Sequence, residues 1–96
     1  MKQPVPEGYS FVKMIDCSVE DSPGFEYEIN EVSIIKDAAG RYFLRRYRNF
    51  CTSGANGRPV TSIYDSCVQV PDPSAVNTKN YLEILVFTEP EITFLN

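Results

Sequence analysis

The chain has 96 residues, 13 acidic and nine basic, for a formal charge of −4, and 43% of it is hydrophobic. Those values describe a folded chain rather than a disordered one, and residues 1–96 read as a single globular domain that should bury roughly 60–70% of its unfolded surface. No stretch approaches the ~20 apolar residues of a membrane helix, and the lack of any histidine removes the commonest general base, the commonest metal ligand and every Ser–His or Cys–His nucleophile pair.

The first predicted strand covers residues 9–19, where Tyr9, Phe11, Ile15, Cys17 and Val19 share one parity. Glu20-Asp21-Ser22-Pro23-Gly24 reads as a turn. Alternation then resumes, with Phe25, Tyr27 and Ile29 opposite Glu26, Glu28 and Asn30. It changes phase so that Val32 and Ile34 carry the apolar face, and a β-bulge at Asn30-Glu31 is the expected cause. Asp37-Ala38-Ala39-Gly40 is a hairpin turn signal.

Residues 41–51 admit two readings. As a strand, Phe43 and Tyr47 share a face with Arg45, while Tyr42, Leu44 and Phe50 share the other with Arg46 and Arg48. Such a strand, mixed on both faces, is expected at a sheet edge or in a protruding hairpin arm. As a helix, Phe43, Leu44, Tyr47, Phe50 and Cys51 fall on one arc and the arginines on the other. The aromatic-rich composition and the preceding turn signal favour the strand.

Thr52–Pro59 is a loop with two glycines, and Val60–Val70 returns to extended character. Pro71–Asn77 is a second loop, with one helical turn opened by Asp72 and Pro73. Tyr81–Thr88 is apolar on both parities and is expected to be the central strand. Thr88-Glu89-Pro90-Glu91 breaks it, and Ile92-Thr93-Phe94 forms a short last strand. The expected fold is mainly β, a small antiparallel sheet of about five or six strands in a meander. The alternative is α+β, with residues 38–51 as one amphipathic helix packed on the sheet.

Three cysteines, without a CxxC pair and with no apolar leader at the N-terminus, suggest reduced thiols and a cytoplasmic protein; a Cys51–Cys67 disulfide is the alternative. Cys51, just past the arginine run, is the best-placed thiol for activation, but no base accompanies it. Glu26 and Glu28 share a strand face, a spacing common on any solvated strand. Ser53–Arg58 has the glycines and backbone N–H groups of an anion-binding nest but lacks the Lys-Ser/Thr of a phosphate loop. No cofactor, metal site or catalytic residue is expected, and the chain reads as a non-enzyme.

Charge is segregated. Residues 1–37 carry a net −5, residues 38–64 carry +5 from five arginines and no acid, and residues 65–96 carry −4. Either neighbouring strands neutralise the arginines in surface pairs, or the arginines form an exposed recognition patch. The binding candidates on the second view are Arg41, Tyr42, Arg45, Arg46, Tyr47, Arg48, Asn56 and Arg58. They suit a larger protein with an acidic surface, in the manner of small inhibitors such as phage anti-defence or immunity proteins, an analogy of class alone. The same interleaving of arginine and aromatic residues suits single-stranded nucleic acid or a phosphate ligand, which the flanking acidic blocks oppose. A second copy of the chain is a further expected kind of partner, and a membrane is not.

Overall fold

The computed structural model describes residues 3–21, 26–54, 56–87 and 92–94. Strands β1 (Tyr9–Asp21), β2 (Tyr27–Asp37), β3 (Tyr42–Ser53), β4 (Pro59–Gln69) and β5 (Ile92–Thr93) form one antiparallel sheet in chain order. A 3₁₀ turn (Pro73–Ala75) and a short helix, α1 (Tyr81–Phe87), lie between β4 and β5. The mainly β meander expected from the sequence is the observed architecture. Phe25, the Ser22–Gly24 part of the first turn and the whole Thr88–Glu91 break fall outside the described residues.

The β2–β3 hairpin closes where Asp37 needs a sharp return. Its carbonyl accepts from Gly40 N at 3.1 Å, and Gly40 adopts φ +85°, a conformation that favours residues without Cβ. Residues 42–53 are a strand throughout, so the helical alternative over 38–51 is not what forms. This strand is also neither an edge nor an arm: β3 is third of five and pairs along its whole length with β2 and β4. Its two mixed parities reflect two covered faces, each of which holds part of the core and part of the charge.

On one face, Val32, Ile34, Leu44, Val68 and Val70 pack with Val76 beneath α1, whose Tyr81, Ile84 and Leu85 reach the cluster. On the other, Ile35, Phe43 and Cys67 pack under Val5, Tyr9, Ile92 and Phe94. Tyr9 meets both Phe43 and Phe94 edge-on, with ring centroids 5.7 and 5.4 Å apart, an arrangement the ring quadrupoles favour. The N-terminal segment is therefore a strap across the second face.

Two further expectations are corrected. The segment 81–87 is helical, not the central strand. Its contacts at Tyr81, Ile84 and Leu85 follow i, i+3, i+4 spacing, while Leu82 and Val86 remain exposed. A short apolar run carries no period that separates the two states; the turn before it does, because Asn80 Oδ1 accepts from Asn77 N and Asn77 O accepts from Tyr81 N. The phase shift near Asn30 is also not a bulge in β2, which pairs continuously with β3 from Tyr27 to Lys36. The irregularities lie across the ladder in β1, between Phe11 and Lys13 and between Met14 and Asp16. They turn Ile15 toward the helix-covered cluster, whereas simple alternation groups it with Tyr9 and Phe11.

Candidate functional site

The eight candidate residues do not converge on one surface. Arg41 stands at the β2–β3 turn, where its backbone N–H and Nε donate to Asp37 at 2.9 and 2.7 Å. Tyr42 is half-buried against the helix-side core, with Lys36 Nζ 6.0 Å from its ring centre.

Arg45 and Tyr47 point to the strap side. Arg45 is 5% exposed and Asp65 4%. Nε and Nη2 donate to the two carboxylate oxygens at 2.8 and 2.7 Å, and Nη1 donates to the Pro4 carbonyl at 3.1 Å. Such a bidentate pair is the strong geometry for a buried ion pair. The guanidinium lies 5.5 Å from the Tyr47 ring centre, and Asn49 Nδ2 donates to Tyr47 Oη at 3.3 Å. A cleft of about 520 Å³ runs here between the strap, Tyr47 and Phe94. Arg45 and Asp65 in its wall bind each other, and Arg45 clasps the strap to the sheet instead of facing solvent.

The opposite face opens where α1 ends. The register aligns Asp16–Val32–Arg46–Ser66 in a row that Tyr81 of α1 still reaches and Ser18–Asn30–Arg48–Tyr64 in the row beyond it. Tyr64 is 60% exposed and stacks on Phe50 with centroids 5.9 Å apart and planes at 20°. Arg48 lies 5.2 Å from the Phe50 centroid and donates from Nη2 to Glu28 Oε1 at 2.8 Å. Its Nε and the Oδ1 of Asn30, the residue directly opposite, are buried without a hydrogen-bond partner among the described residues. Arg46 has no carboxylate partner among the described residues. Its charge is felt at Tyr81, whose hydroxyl donates to Asp16 at 2.6 Å. That hydrogen bond, burial and the Asp16 charge push the Tyr81 phenol up from its ordinary value, and Arg46 opposes them. A shallow pocket of about 190 Å³ at the far end of this face brings Glu20, Glu26 and Glu28 beside Arg48 and Phe50.

Asn56 and Arg58 sit in the β3–β4 turn. Asn56 Oδ1 accepts from Arg58 N at 3.1 Å, Gly54 N donates to Arg58 O and Gly57 N to Gly54 O. These N–H groups close the turn on itself, so those of Gly54, Gly57 and Arg58 are not turned to an anion. The exposed Arg58 guanidinium has no ion-pair partner among the described residues.

Arg41, Arg45 and Arg48 are thus held in internal ion pairs, as the first of the two alternatives has it, and Arg46 and Arg58 have none among the described residues. Sequence patterning placed Phe50 on the face of Arg48 but missed Tyr64 and Asn30 as its neighbours, because only the register of three strands brings them together. The paired carboxylates are also engaged: Glu28 by Arg48 and Glu26 by the Ser53 hydroxyl at 3.0 Å.

No disulfide joins the cysteines among the described residues. Cys67 stands opposite Arg45 while Cys51 lies six residues further along β3, roughly 20 Å away at the strand rise, far beyond disulfide reach. Among the described residues no three of Cys, Asp and Glu gather in a way that could hold a metal ion, and no helix is long and apolar enough to cross a membrane.

Comparison with protein-family models, with curated proteins and with solved structures finds no match to this chain.

Proposed function

We propose that this chain is a non-enzymatic binding protein that acts by covering a surface of a larger protein, through the open half of the helix-side sheet face. The observation that carries this reading is the pairing of an unmet cation with an exposed aromatic on that face: Arg46 has no carboxylate partner among the described residues, and Tyr64 stands exposed on Phe50 in the adjoining row. A partner that brings a carboxylate would meet the Arg46 guanidinium. Tyr64 and Phe50 supply a rigid aromatic anchor of the type enriched at binding hot spots. The preferred partner surface is acidic opposite Arg46 and Arg58 and apolar opposite Tyr64. Inhibition by occupying a partner's working surface, as small anti-defence or immunity proteins do, is the biological role such a module suits, and a cytoplasmic setting suits its reduced cysteines.

The test is affinity capture with wild type, Arg46→Glu and Tyr64→Ala. A partner recovered by wild type should fall by at least about tenfold with either variant, since each removes a central contact. Equal recovery with all three places the interface elsewhere.

The stacked Phe50–Tyr64 pair beside Arg48 also favours a second reading, single-stranded nucleic acid on an aromatic platform. Titration with labelled single-stranded DNA and RNA at two salt concentrations separates the two. Binding that weakens steeply with salt supports nucleic acid, and no binding at low salt removes it.

A further inference from the structure

Helix α1 has more apolar residues than the core has places for them. Tyr81, Ile84 and Leu85 reach the cluster below, while Leu82 and Val86, one turn apart, are 53 and 71% exposed. Both stand roughly 160° around the helix from Ile84, at about 100° per residue. Ile84 and Asn80 line a crevice with Val70, Pro71 and Val76 of the preceding loop. Val70 N donates to Tyr42 O, which sets that loop toward the β2–β3 turn. The flank that carries Leu82 and Val86 is therefore turned the other way, toward the uncovered rows of Arg48 and Phe50.

That flank and the sheet beside it make a bay. Leu82 and Val86 are its wall. Tyr64, 60% exposed and stacked on Phe50, is its floor over β4, and Arg46 stands where wall and floor meet, in the row that Tyr81 reaches. The bay is one helix wide. Neighbouring helices pack about 8–10 Å apart, and same-face residues of a strand are about 6.6 Å apart. Ile84 and Leu85 cluster with Ile34, Leu44 and Val68, and Tyr81 reaches the next row, so an axis one helix-width beyond α1 falls over Ser18–Asn30–Arg48–Tyr64. From β1 to β4 that row spans about 14 Å, the length of roughly ten helical residues.

We propose, on the reading that a protein partner covers this face, that the element it lays there is an amphipathic helix of about three turns beside α1, with an aspartate or glutamate against Arg46. Charge selects this occupant. Toward β4, Arg46 and Arg58 have no ion pair among the described residues, while over β1 the same face carries Asp16 and Glu20. The helix that fits is acidic at its β4 end and basic at its β1 end. Its apolar stripe, at i, i+4 and i+7, meets Tyr64 and the Leu82–Val86 wall. A carboxylate on its α1 side takes the Arg46 guanidinium. Such a helix completes the layer that α1 begins over half of the sheet. The α1 of a second copy is a poor match, because its seven residues hold no base to set against Asp16 and Glu20.

The probe is an alanine-based peptide, cross-linked to hold its helix, with leucines at i, i+4 and i+7, a glutamate beside them and a lysine at the far end. A control peptide has lysine in place of the glutamate. Amide NMR of the full chain should show Arg46, Tyr64, Leu82 and Val86 shifting with the glutamate peptide, and the control should bind at least about tenfold more weakly. Leu82→Ser/Val86→Ser removes the wall at two exposed positions without changing charge, and should weaken binding by about tenfold or more. Arg46→Glu should reverse the preference and favour the lysine peptide, a swap that nonspecific adsorption does not produce. No shift up to about 1 mM peptide, equal binding by the serine variant, or an unchanged preference in Arg46→Glu overturns the proposal. So does labelled single-stranded DNA that moves these resonances where the peptide does not, or a shift with protein concentration alone, which assigns the bay to a second copy. A partner lost by Arg46→Glu and Tyr64→Ala but kept by Leu82→Ser/Val86→Ser leaves the face as the interface and removes the helix. One kept by all three removes the face itself.

Discussion

Neutralising Asp65 tests whether Arg45 is a clasp or a solvated surface charge. The side chains of the pair are 5% and 3% exposed, against 35% and 37% for Arg48 and Glu28. Asp65→Asn leaves a guanidinium with neither water nor counter-charge, and breaking one side of a buried pair costs about 3–5 kcal/mol. That is a large part of the roughly 5–15 kcal/mol expected for a whole domain, and it should lower the melting temperature by at least about 12 °C at this chain length. Urea unfolding followed by circular dichroism gives the free energy directly. The double variant Arg45→Met/Asp65→Leu should recover most of the loss, because two well-packed apolar groups need no desolvation. It should not restore the strap: the Arg45 bond to the Pro4 carbonyl is gone, so cleavage within residues 3–8 by a nonspecific protease should stay faster than in wild type. A change of less than about 1 kcal/mol in Asp65→Asn, the range of exposed pairs, would refute the buried-clasp account.

Leu44, fully buried in the helix-side cluster, should cost about 2–5 kcal/mol on truncation to alanine, read from the same unfolding curves. Asp37 has its carboxyl held below the usual 3.8: burial opposes the shift, but hydrogen bonds from the Arg41 backbone and guanidinium and its charge outweigh it. A depressed carboxyl stabilises the fold above the unfolded value and loses that contribution as pH falls through the folded value. NMR titration should therefore place Asp37 below 3.8, and Arg41→Ala should move it up. Tyr81 is shifted the other way by its bond to Asp16, by burial and by the Asp16 charge. Its stabilising contribution is complete below pH 10 and is lost as pH rises through the raised folded value. Arg46→Ala should raise the Tyr81 phenol further in an NMR or ultraviolet titration, and an unchanged value would remove Arg46 from its neighbourhood. Cys17 is exposed while Cys51 and Cys67 are buried, so a thiol reagent should modify one cysteine quickly in the native protein and all three after unfolding.

Local pattern carried most of the sheet into view. Period-two alternation marks β1 and β2, Asp37–Gly40 marks the first hairpin, and Asp72 caps the 3₁₀ turn by accepting from Ser74 N at 3.0 Å. These are contacts between near neighbours, and residue type alone biases them. The helix at 81–87 was not legible in the same way, because a run of seven residues with six apolar members suits a buried strand and a short helix equally. The Asn77–Asn80 turn that starts it and the hydrophobic cluster it covers decide its state.

The site shows the same division. The sequence by itself determined that five arginines stand in an acid-free stretch, that no histidine chemistry exists and that aromatic residues interleave with the cations. It did not determine which cations meet an acid. Arg45 and Asp65 are 20 residues apart, as are Arg48 and Glu28, and only the registers of β2, β3 and β4 bring each pair within bonding distance. Those registers follow from burying two apolar faces at once, a cooperative property of the whole sheet that no window of sequence contains. The same registers leave Arg46 without a carboxylate among the described residues, one row from Arg48 and Tyr64, so the proposed interface is a product of the tertiary structure.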